Sequence, residues 1–125
     1  MLQDFPIYSY LPARDVARAR RFYEDTLGLH ASEETAGGAT YRFAGGTACF
    51  LYPTPNAGTS KASQAFWRVH DVHAVKRALE ARGVVFMDYD LPNFKTVNSI
   101  AKTGTTRAAW FKDSEGNILA LIEAV

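Results

Sequence analysis

The sequence holds a single cysteine, Cys49, so no internal disulfide can form. That usage suits a reducing compartment, and a cytoplasmic protein is expected. Cys49 sits inside an apolar run and reads as a small buried hydrophobe. The chain also lacks any apolar run of about 18 residues, the length a membrane-crossing helix needs. Its start is too polar, and too poor in small-residue cleavage signals, for a secretory leader. Like charges do not gather either: 14 basic residues stand against 13 acidic ones, for a net charge of +1. Nucleic acid and anionic membranes are therefore not expected partners, since both call for a concentrated basic patch. No glycine-rich loop leads into a helix to cradle phosphate, because Gly45-Gly46 joins two predicted strands. Ser60 and Ser63 have no His–acid pair nearby, which leaves nucleophilic catalysis without support.

What is present suffices for one domain over residues 1–125, with an apolar share of 47% that can fill a core without staples. The most informative stretch is the last. Residues 106–112 and 118–123 read as strands around the turn formers Asp113-Ser114-Glu115-Gly116-Asn117, which makes a hairpin. The final strand is apolar on both faces, so each face needs cover. Asp113 reads as a turn former whose carboxylate caps the turn amides, not as a base.

Taken in order, residues 5–11 read as a strand and Pro12-Ala13-Arg14 as a turn. Asp15 then caps a helix whose Val16, Ala19, Tyr23 and Leu27 recur at helical spacing, with Gly28 ending it. Strands are expected over 29–35, 39–44 and 47–52, with Gly37-Gly38 turning between the first two. The plan then restarts. A strand over 64–69 leads to Asp71, a second N-cap, and to a helix through Val72, Val75 and Leu79 that closes at Gly83. Residues 84–89 read as the strand after it. Residues 91–105 read as a long polar loop standing in for the Gly37-Gly38 turn. It carries Lys95, Lys102 and Thr103, either solvated or part of a lid. Strand, helix and three strands thus occur twice, giving module one (1–54), a linker (55–63) and module two (64–125).

This doubled βαβββ unit resembles the vicinal oxygen chelate superfamily, which includes glyoxalase I, the bleomycin-resistance proteins and the extradiol dioxygenases. The resemblance rests on Asp15-Val16, Arg21-Phe22-Tyr23 and Leu27-Gly28-Leu29 in the first half. In the second it rests on Val69-His70-Asp71-Val72 and on the run from Trp110-Phe111 through Asp113, Gly116 and Asn117 to Ile118. It implies an α+β fold in which the strands form curved mixed sheets around a shared cleft, with the helices outside. It also implies that metal-dependent members carry His, Glu or Gln at positions that fall here on Tyr8, Phe50 (or Leu51), Gln64 and Ala120. Only Gln64 of these is a conventional ligand. His30, His70 and His73 are not spaced to converge with carboxylates. No metal or other cofactor is therefore expected.

Strand alternation sorts the remaining faces. It sends Ile7, Ser9 and Leu11 toward the first helix, and Tyr8 and Tyr10 toward the cleft. Phe50 and Tyr52 share a face, Gln64, Phe66 and Arg68 another, and Trp110 stands close by. These eight residues are the candidate ligand-binding set. The alternative is that the rings simply fill the half-barrels. Arg68 on an inward position needs either an anionic ligand or a salt bridge, with Glu123 or an Asp at a strand end. The expectation is a metal-independent small-molecule binder of the bleomycin-resistance type, acting as a homodimer. A lyase, isomerase or dioxygenase with a non-standard site is the alternative.

Overall fold

A computed structural model describes residues 1–124 of the chain; Val125, the end of the second predicted module, lies outside the described residues. The first module comprises β1 (Ser9–Ala13), α1 (Val16–Arg21), β2 (Ala31–Thr35), β3 (Gly38–Arg42) and β4 (Ala48–Pro53). The second comprises β5 (Ala65–Val69), α2 (Val72–Glu80), the short strands β6 (Asp90–Leu91) and β7 (Phe94–Lys95), β8 (Ala101–Thr103), β9 (Thr106–Lys112) and β10 (Ile118–Ala124). They form two four-stranded sheets, ordered β1-β4-β3-β2 and β5-β10-β9-β8, with β6 and β7 paired apart. In each large sheet the module's first strand lies parallel to its last, and the other pairings are antiparallel. The doubled α+β plan expected from the sequence is the one observed. Among the described residues no helix is long and apolar enough to cross a membrane.

Both helices begin at the expected caps. The Asp15 carboxylate accepts from the Arg18 amide at 3.0 Å and the Asp71 carboxylate from the Ala74 amide at 3.0 Å. After α1 the winding widens through Phe22–Thr26, where the Leu27 amide reaches back to the Phe22 carbonyl at 3.0 Å. It stops at Gly28, whose φ of +78° suits a residue without Cβ.

One core runs through both modules. Leu11, Ala39, Tyr41, Cys49 and Leu51 pack under Ala19 and Tyr23, and the cluster continues into Val72, Ala109, Phe111, Leu119 and Leu121. Trp67 spans the junction, stacked on Phe111 at 6.2 Å and edge-on to Phe43 at 6.0 Å. Polar bonds fasten α1 to the β9–β10 turn. Glu115 accepts from the Arg14 and Asp15 amides at 2.9 Å each, and from Arg18 Nε at 2.8 Å. The Tyr23 hydroxyl donates to Asp113, and the Asn117 side-chain Nδ2 donates to the Pro12 carbonyl at 2.7 Å. Asp113 behaves as the expected turn cap, accepting from the Glu115 and Asn117 amides at 2.8 and 2.9 Å.

Two expectations are corrected. The first strand lies later than 5–11. Residues Leu2–Asp4 form a short turn of 3-10 helix, and Ile7, expected under the helix, is 90% exposed. Pro12 and Ala13, expected in a turn, belong to β1. Proline is tolerated because β1 is an edge strand paired on one side only. Second, residues 84–89 do not form a continuous strand. Phe86 sits opposite Phe111, and the Met87 amide donates to the Trp110 carbonyl at 2.8 Å. Further along β9, β8 pairs with Thr106 to Ala108. The module's second strand is thus split, and residues 88–100 form an excursion out of its middle. Lys102 and Thr103 are strand residues, and the place of the Gly37-Gly38 turn is taken by Gly104-Thr105.

Candidate functional site

Register on the first sheet collects four of the expected residues. Tyr10 stands opposite Phe50 and beside Tyr52, with ring centroids 6.5 and 4.5 Å away. This face is the one turned away from Tyr23, because Tyr10 and Tyr52 alternate with the buried Leu11 and Leu51. Tyr8 joins them through Arg42, whose guanidinium donates to the Tyr8 hydroxyl at 2.9 Å and to Glu33 at 2.8 Å. The same guanidinium lies 5.5 Å from the Tyr8 ring centroid. Arg42 escaped the sequence analysis. The signal was there, since it lies two residues from Thr40, which pairs with Phe50 on the same face.

The second sheet presents Phe66 and Arg68 from β5, opposite Ala120 and Ile122, with Trp110 opposite Ala120 on the other side. Gln64 lies just before β5, exposed, with its backbone N–H donating to the Ile118 carbonyl at 2.8 Å. Trp110 is already engaged. Phe94 and Tyr89, both from the excursion, lie 5.2 and 5.6 Å from its ring and 5.4 Å from each other. The excursion therefore roofs part of the second face, while Tyr10 on the first is 62% exposed. Phe94 was passed over because its neighbours read as polar loop, and Tyr89 because it read as the end of the strand over 84–89. Among the described residues no ring contact joins the tyrosines of the first face to Phe66 or Trp110.

A slot of about 520 Å³ opens where the modules meet, and its lining includes Phe66 and Arg68 but none of Tyr8, Tyr10, Phe50, Tyr52, Gln64 or Trp110. Arg68 has no ion-pair partner among the described residues. Glu123, its possible partner, instead accepts from the Val72 amide at 2.9 Å and from Arg107 at 2.7 Å. Those two bonds, the Val72 amide foremost, hold the Glu123 carboxyl below its ordinary range.

The positions at which the resemblance puts metal ligands do not fit a divalent ion. Phe50, Leu51 and Ala120 offer no donor, which leaves one phenol and one amide where such ions want several converging N, O or S atoms. His30, His70 and His73 are each exposed, and among the described residues no three His, Cys, Asp or Glu side chains gather to hold a metal.

Two mixed sheets, each closed by a parallel outer pair and joined in tandem through one core, define a doubled βαβββ protein. Residues 7–121 match the sequence profile of the Glyoxalase/Bleomycin resistance protein/Dioxygenase superfamily, and the chain belongs to that superfamily. No curated protein matches it in sequence. Among solved structures it is similar to TnmS3, an antibiotic binding protein from Streptomyces sp. CB03234, with a TM-score of 0.73 and 24% identity over 97% of this chain and 96% of that one. It is similar to a bleomycin-binding protein complexed with bleomycin, with a TM-score of 0.71 and 18% identity over 97% and 99% of the two chains. UcmS2 gives a TM-score of 0.74 at 18% identity over 94% and 96%. Likenesses this distant in sequence show the shared fold.

Proposed function

We propose that the chain is a metal-independent small-molecule-binding protein that holds an aromatic or amphipathic ligand against its aromatic faces and works as a homodimer. The observation that carries this reading is the Tyr10 ring. It is 62% exposed, yet braced by Tyr52 at 4.5 Å and Phe50 at 6.5 Å. A braced, open ring is a stacking platform that loses little freedom when a planar ligand arrives. Tyr8, tied to Arg42, supplies a polar edge to that platform. Phe66, Arg68, Gln64 and the Trp110 cluster offer a second aromatic and polar surface, which a partner copy would bring opposite the first. Phe66 at 59% exposure and Tyr10 are the rings that such pairing covers. The antibiotic and bleomycin binders of the same fold support the class of ligand.

The test is a panel of planar aromatic compounds followed by thermal shift and tryptophan fluorescence. Binding is expected, and Tyr10→Ala should weaken it by roughly tenfold. Silence across a broad panel would overturn the reading. Sedimentation should give a species of two chains. Elemental analysis of protein purified without chelators or a metal-affinity tag should give far less than one metal per chain. Stoichiometric Fe, Ni, Zn or Mn would favour a lyase, isomerase or dioxygenase instead.

A further inference from the structure

We propose that the slot between the two modules is a second small-molecule site, suited to an amphipathic organic anion whose apolar body lies along Trp67 and Phe43 and whose head group meets Arg68. The slot opens where β1, β4 and β5 begin, and at about 520 Å³ it is of the size that small-molecule pockets usually have. Leu11, Cys49 and Leu119, all buried, line it from the core side. Its aromatic wall is fixed. The Trp67 indole is stacked on Phe111 at 6.2 Å and held edge-on by Phe43 at 6.0 Å, so a ligand meets a surface that is already ordered.

The charge of the lining decides the head group. Arg68 is the one charged residue on it, and it has no ion-pair partner among the described residues. No carboxylate lines the slot, so a cationic head finds nothing to pair with. Burial pushes the Cys49 thiol up to about 11, which keeps that residue neutral at ordinary pH. A guanidinium only donates. Apolar walls with an unpaired guanidinium among the lining residues fit a carboxylate or sulfonate on a hydrocarbon or aromatic body. None of the first-face tyrosines touches the slot, so this site is separate from the platform around Tyr10, while it shares Phe66 and Arg68 with the second-sheet surface.

The two tryptophans permit a direct test on the full chain. Dodecanoate, below its micelle-forming concentration, is titrated into ¹⁵N-labelled protein, with dodecyltrimethylammonium as the matching cation. The Trp67 indole N–H signal should move saturably with dodecanoate while that of Trp110 stays. The cation should bind at least roughly tenfold more weakly, the size of effect expected when a charge-assisted bond is lost. Arg68→Glu should reverse that order, and Arg68→Gln should abolish it. Ala44→Trp, or Thr47→Phe if the first variant folds poorly, should fill the mouth and remove binding of both probes. Tyr10→Ala should leave dodecanoate binding unchanged, which separates this site from the aromatic platform. Equal affinity for the two head groups, no response to either, equal movement of both indole signals, or an Arg68→Glu variant that keeps the original preference would each overturn the proposal.

Discussion

Glu115 is the residue on which most local constraints converge. Its side chain has no exposed area, yet it is charged and accepts from two helix-start amides, from Arg18 and from the Ser114 hydroxyl. The Arg18 bond foremost, with the Asp15 amide and Ser114 adding to it, lowers its pKa to about 2 against the resistance of burial. Arg18 is 48% exposed, so solvent screens that ion pair, and the buried amides hold much of the stabilisation. A carboxylate depressed in the fold contributes stability that is present above its unfolded value and lost as pH falls toward the folded one. Here that window runs from 4.5 down to about 2. Glu115→Gln should cost about 2 kcal/mol at pH 7 by urea denaturation, because it leaves buried donors poorly matched. The gap between wild type and variant should shrink as pH is lowered from 4.5 toward 2. A gap that stays constant with pH would contradict this account.

The elements were legible wherever local chemistry agreed with register. Asp15 and Asp71 announce their helices because a carboxylate beside free amides needs no tertiary context. The turn from Asp113 to Asn117 is equally local. The second strand of module two was not legible, since the apolar run 84–87 reads as a strand while its ladder is completed only thirteen or so residues on, by β8. Nothing local in the sequence says that 88–100 leaves the sheet and returns. At the site, alternation put Tyr10, Phe50 and Tyr52 on one face, where the strand register also puts them, while Tyr8, just before β1, joins them through Arg42. It missed Tyr89 and Phe94, whose positions over Trp110 depend on the path of the excursion. If that cluster pins the excursion, Trp110→Ala should cost about 2–3 kcal/mol, somewhat below a fully buried ring. Amide exchange should quicken across 88–100 while the β4 amides stay protected. Uniform quickening throughout the protein would mean that Trp110 belongs to the common core instead.

At the scale of the molecule, the two copies of the repeat share one core and are fastened to each other. α1 of the first module is fastened to the β9–β10 turn of the second, and the connecting chain is clipped to the same turn. The Gly58 amide donates to the Asn117 side chain at 3.2 Å, and its φ is +74°. A Cβ on Gly58 would stand 2.3 Å from the Glu115 carbonyl oxygen. Both the backbone angle and this approach exclude a side chain. Gly58→Ala should therefore cost roughly 2 kcal/mol or more, beyond the backbone-angle penalty alone. Circular dichroism and tryptophan fluorescence should still report one coincident unfolding transition, in the variant as in the parent. Separate transitions would show that the modules unfold independently. The two halves of the interrupted strand, ending at Met87 and resuming at Ala101, lie along the same neighbour, so the peptide between them, short of the buried Ile100, should be exchangeable. Cassettes of other length and composition spliced in there should leave the scaffold intact while changing what the second sheet can grip, making this a natural place to diversify recognition.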